Sequence, residues 1–176
     1  ATATVYTLDM KEVWAEKASV EVDSGSSCEV FQVEIPVDFS DTVCFLHLQL
    51  KDNEENCISE NFYWLAEDKD FSALKNLPLV NLDVNIIAKK KGKKRIYRIR
   101  LANASETLAF FVNPSVRKGK EGQEILPSFW SDNYFSILPG KARDVTVEFE
   151  GVNLEGEESY LKLEGWNTPP KLIKLD

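Results

Sequence analysis

Phe129-Trp130-Ser131-Asp132-Asn133-Tyr134-Phe135-Ser136-Ile137, then Leu138-Pro139-Gly140-Lys141, then Val145-Thr146-Val147-Glu148-Phe149, reads as strand, turn and strand. The first run is rich in aromatic residues. The second alternates Val, Val and Phe with polar neighbours, which gives it one apolar face. Between them the proline pre-sets φ for a turn, and the glycine takes a positive φ that other residues resist. The same rhythm extends in both directions. Strand runs lie near Val80–Ala88, Ile96–Leu101, Ala109–Val116, Phe129–Ile137, Val145–Phe149, Tyr160–Gly165 and Leu172–Leu175. Turn signals at Lys91-Gly92, Asn103-Ala104-Ser105, Lys118-Gly119 and Glu155-Gly156 separate them. Seven short strands at this spacing fit an immunoglobulin-type sandwich over residues 79–176. Alternation puts Phe110, Val112, Phe135, Val145, Val147, Phe149, Leu161 and Leu163 inside. Only one of Phe110 and Phe111 can face inward on a regular strand.

Residues 1–66 repeat the pattern with about five strands. Ala3–Leu8 alternates, Asp9-Met10-Lys11 turns, and an extended stretch runs from Val13-Trp14 to Val22. After a loop at Asp23–Ser27, Val30–Ile35 sets Phe31, Val33 and Ile35 on one face, and Pro36 ends the run because it cannot donate to a ladder. Cys44, Leu46, Leu48 and Leu50 form the next apolar face, with Phe45, His47 and Gln49 opposite. Asp52–Asn56 is a polar hairpin connection, and the following strand closes on Asn61-Phe62-Tyr63-Trp64-Leu65. Residues 67–78 break the alternation and read as a linker, with a short helical turn at Phe71–Leu74. No segment sustains a 3.6-residue period, so the chain is all-β rather than α/β.

Composition limits the functional classes. A length of 176 residues allows one large or two small domains, and 43% hydrophobic residues suffice for packed cores. The net charge of −8 argues against nucleic-acid phosphates as a partner. No apolar run approaches the roughly 18 residues that span a bilayer. The first residues, Ala1-Thr2-Ala3-Thr4-Val5, have neither an initiator Met nor the basic and apolar regions of a signal peptide. This predicts a chain processed or excised from a longer one.

Few constellations carry chemistry. Cys28, Cys44 and Cys57 allow at most one disulfide. Cys44 and His47 are an odd number of residues apart on a strand, so they point to opposite faces and do not make a zinc site. His47 is the sole histidine, lacks a Gly-rich elbow, and reads as a solvent-facing strand residue rather than a catalytic base. Glu54-Glu55 and Glu157-Glu158 sit in polar turns and read as solvated charge, not as the paired carboxylates of a glycosidase cleft. No catalytic residue, metal ligand or cofactor is expected. The basic run Lys89–Arg95 could attract a polyanion, but Gly92 favours a solvated hairpin tip whose lysines discourage edge pairing. Trp64, Trp130, Tyr134 and Trp166 could stack on sugar rings, although aromatics in sandwiches more often fill cores. Trp130, Asp132, Asn133 and Tyr134 are therefore the candidate carbohydrate contacts. Asn103-Ala104-Ser105 matches a glycosylation sequon and reads equally well as a turn.

Leu108-Ala109-Phe110-Phe111-Val112 and Ile125–Lys141, with the core Asp132-Asn133-Tyr134-Phe135-Ser136-Ile137-Leu138-Pro139-Gly140, resemble the C-terminal immunoglobulin-like domain of glycoside hydrolase family 2. The exo-β-D-glucosaminidase and β-mannosidase branch is the most similar. Ala3–Asp9 with Glu12-Val13-Trp14, and Cys57–Leu65, resemble the domain that precedes it. The resemblance implies two tandem sandwiches, the first lacking its initial strands, which serve as an accessory region beside a catalytic barrel in a secreted or periplasmic enzyme. The barrel would be a partner, with oligosaccharide as a further possible ligand. A barrel of about 250 residues cannot fit in this chain. Missing strands would also uncover Val5, Leu46, Leu48 and Phe62, and the exposed face and edge would favour self-association.

Overall fold

The computed structural model describes residues 1–33, 43–66 and 69–175. They are all-β and fall into two compact units, Ala1–Leu77 and Pro78–Asp176.

In the first unit, β1 (Thr2–Tyr6), β2 (Glu12–Lys17), β3 (Cys44–Lys51) and β4 (Cys57–Leu65) form one antiparallel sheet in the order β2-β1-β3-β4. The turn from β1 to β2 takes Met10 to φ 63°. The β3–β4 connection is organised by Asp52, whose carboxylate accepts the backbone N–H groups of Glu54 and Asn56, both at 2.9 Å. Such Asx geometry lets a short acidic loop reverse the chain. Ala3, Val5, Cys44 and Leu46 make a buried cluster, with Val13, Trp14, Phe31, Val33, Leu48 and Leu65 packed against it.

That packing corrects several expectations. β2 ends at Lys17, so the run to Val22 is not strand. Val30–Val33 forms no strand either, yet Phe31 and Val33 still point to the core while Gln32 is exposed. Glu34, Ile35 and Pro36 lie outside the described residues. Val5 and Leu46, expected to lose their cover, are buried because Trp14, Phe31 and Val33 lie on that face. Leu48 and Phe62 are half-buried. Phe45, on the face opposite Leu46, is also fully buried and stacks on Phe62 at 5.5 Å, so β3 is covered on both faces. Cys44 is buried and its thiol pKa is raised by desolvation, whereas Cys28 and Cys57 are exposed. All three are free thiols. A 3-10 turn follows at Ser72–Asn76 and buries Leu74.

The second unit is a sandwich of two four-stranded sheets. One holds β5 (Asp83–Lys91), β6 (Lys94–Ala102), β10 (Ala142–Glu150) and β8 (Ser128–Trp130), in the order β5-β6-β10-β8. The other holds β12 (Lys171–Leu175), β11 (Ser159–Glu164), β7 (Ala109–Lys118) and β9 (Phe135–Ile137), in the order β12-β11-β7-β9. All the interior candidates named from alternation are buried. Gly92, at φ 61°, turns β5 into β6, so the basic run is a hairpin tip.

Two details escape simple alternation. The expected strand Phe129–Ile137 is two strands in different sheets: β8 pairs with β10 and β9 pairs with β7. The chain crosses between the sheets over Ser131–Tyr134, with Tyr134 in the left-handed region at φ 53°. In β7, Phe110 and Phe111 together oppose the single residue Ser136, because Ala109 pairs with Ile137 and Val112 with Phe135. This is a β-bulge, which lets the strand re-aim one side chain. Phe110 turns into the interior and Phe111, at φ 55°, stays half-buried outside it.

Candidate functional site

The sheet crossing at Ser131–Tyr134 gathers most of the candidate carbohydrate contacts. Its start is fixed by Ser131, whose N–H donates to the Thr146 carbonyl and whose Oγ accepts the Thr146 N–H, both at 2.9 Å. Asp132 Oδ2 accepts from Arg143 Nε at 2.9 Å and also from Nη2, while Oδ1 accepts the Asn133 N–H at 2.8 Å. Arg143 in turn lies over the Phe135 ring, 5.0 Å from its centre. Asp132 is thus a clasp for the loop, with both oxygens engaged. Trp130 is half-buried against the sandwich core, on the strand position opposite Val147. Asn133 and Tyr134 face solvent. The Tyr134 ring meets Phe111 at 5.1 Å, tilted by 46°. The sequence reading missed Phe111 and Arg143. Only the doubled Phe110-Phe111, too many apolar residues for one strand face, could have pointed to the bulge.

Trp166 is exposed on the loop after β11, its N–H bonded to the Phe110 carbonyl at 3.0 Å, and Trp64 is exposed on β4 in the other unit. The aromatics named from sequence therefore lie on different elements, Trp64 in the first unit and Trp130, Tyr134 and Trp166 in the second. Their neighbour Asn167 is a structural residue that sequence reasoning did not single out. Its side chain accepts the Phe110 N–H and donates to the carbonyls of Pro78 and Leu108, each at 2.8 Å.

Two of the turn glutamates have their carboxyls shifted away from the range a general acid needs. Lys17 and Lys51 beside Glu55 hold its pKa below the ordinary value, and Lys174 and Tyr160 do the same for Glu158. A general acid for glycoside cleavage needs the opposite shift, so that it keeps its proton near neutrality. His47 is not the solvent-facing residue expected. Its side chain is 11% exposed, with Nε2 at 3.4 Å from Glu60 and its ring 6.1 Å from Phe62. Among the described residues no three His, Cys, Asp or Glu side chains converge as a metal site requires.

The sequon reading gives way to the turn. Asn103 is 1% exposed, and its amide nitrogen donates to the carbonyls of Thr107 at 2.8 Å and Ile137 at 2.9 Å. Its Oδ1 accepts from the Ser105 hydroxyl at 2.7 Å. A glycan on that nitrogen is incompatible with this packing.

Comparison with known proteins shows which family the fold belongs to. The family model described as the exo-β-D-glucosaminidase Ig-fold domain matches residues 61–168, more than half of the chain. The chain belongs to that family. A second model, the mannosidase Ig/CBM-like domain, matches residues 1–70, so two immunoglobulin-like domains follow one another. The exo-β-D-glucosaminidase of Arthroderma benhamiae is 28% identical over 74% of this Ig-fold pair, which covers 16% of the relative. That of Amycolatopsis orientalis is 25% identical over all of it, covering 19% of the relative. A mannosylglycoprotein endo-β-mannosidase of Lilium longiflorum is 26% identical over 69%, covering 13% of that protein. The crystal structure of the Amycolatopsis orientalis exo-chitosanase CsxA shares the fold, with a TM-score of 0.76 and 22% identity over 99% of this chain and 23% of CsxA. The pair thus spans less than a quarter of the chains it matches. It corresponds to their accessory Ig region and contains no catalytic barrel. Among the described residues no helix is long and apolar enough to cross a membrane.

Proposed function

We propose that this Ig-fold pair is the non-catalytic support of a larger secreted or periplasmic glycosidase that removes terminal β-linked sugars, with glucosamine favoured over mannose. The tandem order of the two family matches carries the reading, because a stand-alone adhesin or binding module gives no reason for that order. Its partner is the catalytic barrel of the parent chain, and residues 1–66 and 79–176 act as two modules joined by 67–78. Self-association would use the β4 edge, where Ile58, Tyr63 and Trp64 are exposed.

The test is made in the intact parent enzyme. Deleting the pair is expected to lower the melting temperature of the remaining protein and to leave little soluble, active material, because a face of the barrel loses its cover. A deletion variant with unchanged melting temperature, kcat and KM would refute the supporting role.

A further inference from the structure

Tyr134 and Phe111 share a backbone state that neither residue type prefers. At φ 53° and 55° both occupy the left-handed region, where the Cβ of a bulky L-residue crowds the backbone. Glycine would hold both positions with less strain. The sheet crossing and the bulge explain the dihedral angles, but they do not explain the rings.

Packing explains the Phe111 ring, which is half-buried and touches Phe110 at 5.7 Å as well as Tyr134. It does not explain Tyr134, which is 52% exposed and whose hydroxyl has no hydrogen-bond partner among the described residues. Asn133 beside it is exposed, and its side-chain amide likewise has no partner among them. The loop is nevertheless held at several points, by Ser131 on Thr146, by the Asp132–Arg143 pair, and by Phe135 and Ile137 in the core. Strained, exposed and pre-organised groups of this kind mark binding sites, because a fixed loop loses little entropy when a ligand arrives.

We propose that Asn133 and Tyr134, backed by Phe111, form a contact site for one pyranose ring of a β-linked oligosaccharide. The Tyr134 ring offers a flat apolar surface to the C–H face of the sugar. The Asn133 amide and the Tyr134 hydroxyl supply a donor and acceptors for ring hydroxyls at its rim. Asp132 is a positioning residue, since Arg143 and the Asn133 N–H already occupy its oxygens. Trp130 takes no part, being packed against the core.

The experiment titrates the whole chain with a β-1,4-glucosamine hexasaccharide and with cellohexaose, and measures melting temperature in parallel. Wild type should bind at least one of them saturably. Tyr134→Gly should weaken binding about tenfold or more, with the melting temperature within a few degrees of wild type, and Tyr134→Phe should keep most of the affinity. Asn133→Ala removes no packing and should weaken binding on its own. It decides the matter even if Tyr134→Gly proves unstable. Absence of saturable binding by wild type, or unchanged binding in Asn133→Ala and Tyr134→Gly, overturns the proposal. In the second case a melting temperature lowered only by Tyr134→Gly would assign the ring to packing.

Discussion

Phe149→Ala is expected to destabilise the C-terminal sandwich by about 3–5 kcal/mol. Phe149 is 1% exposed, at the end of β10 that pairs with both β6 and β8, and its ring stacks on Tyr97 at 6.0 Å. Truncation leaves a cavity between two sheets whose backbones are fixed by ladders on both sides, so the site cannot collapse to fill it. A domain of this size has about 5–15 kcal/mol in hand, so the loss is a large share of the total. The urea midpoint should fall by about 1–3 M. Phe129→Ala supplies the contrast. Phe129 lies opposite Glu148, the residue before Phe149, on the outer face of the same sheet, and it is exposed. Its truncation should cost within about 0.5 kcal/mol. Equal losses at the two positions, or less than about 1 kcal/mol at Phe149, would show that the inner face is misassigned.

Asn167→Ala should cost a similar amount by a different route. Asn167 is 2% exposed, and its side chain joins the chain entry at Pro78 to the first residues of β7 through three hydrogen bonds. Alanine leaves the Phe110 N–H and the carbonyls of Pro78 and Leu108 without those partners. At about 1–3 kcal/mol for each buried group left unsatisfied, a total near 3 kcal/mol is a conservative expectation. Asn167→Asp separates this cause from simple loss of volume. Aspartate keeps the acceptor for Phe110, but when ionised it presents a second oxygen to two carbonyl oxygens. The folded state then prefers the protonated acid, so the folded pKa rises above the unfolded value of about 3.9. More protons are bound folded than unfolded between those two pKa values. Stability of this variant therefore falls as pH rises above about 4 and levels off beyond the folded pKa. Equilibrium unfolding at several pH values checks this. A pH profile for Asn167→Asp parallel to that of Asn167→Ala would mean that the amide does not donate to both carbonyls.

The contrast between Phe149 and Asn167 also shows what the sequence reveals. Phe149 was legible because Val145, Val147 and Phe149 alternate with polar residues, and a period of two leaves a single inward face. Asn167 was not, because its role depends on carbonyls 59 and 89 residues away, and no local pattern encodes such distances. The sheet crossing was hidden for a related reason. Ser131–Tyr134 continues an aromatic run, and no glycine or proline marks Tyr134 as left-handed. His47 read as exposed from the polarity of its neighbours, whereas cover on the second face of β3 comes from residues distant in sequence. The candidate contacts are neighbours in sequence, but their burial and partners separate them. Trp130 went to the core, Asp132 to Arg143, and Asn133 and Tyr134 to the surface.

The claim that these domains support catalysis without performing it is tested most directly by turnover. The purified chain and the intact parent enzyme are assayed side by side on p-nitrophenyl β-D-glucosaminide and β-D-mannoside. Release above background is expected from the parent on one of these substrates and none from the isolated chain: Glu54, Glu55, Glu157 and Glu158 lie exposed in connections between strands, whereas hydrolysis needs a carboxylate pair about 5–9.5 Å apart across a cleft. Hydrolysis by the isolated chain that survives repurification and disappears when the chain is unfolded would contradict it.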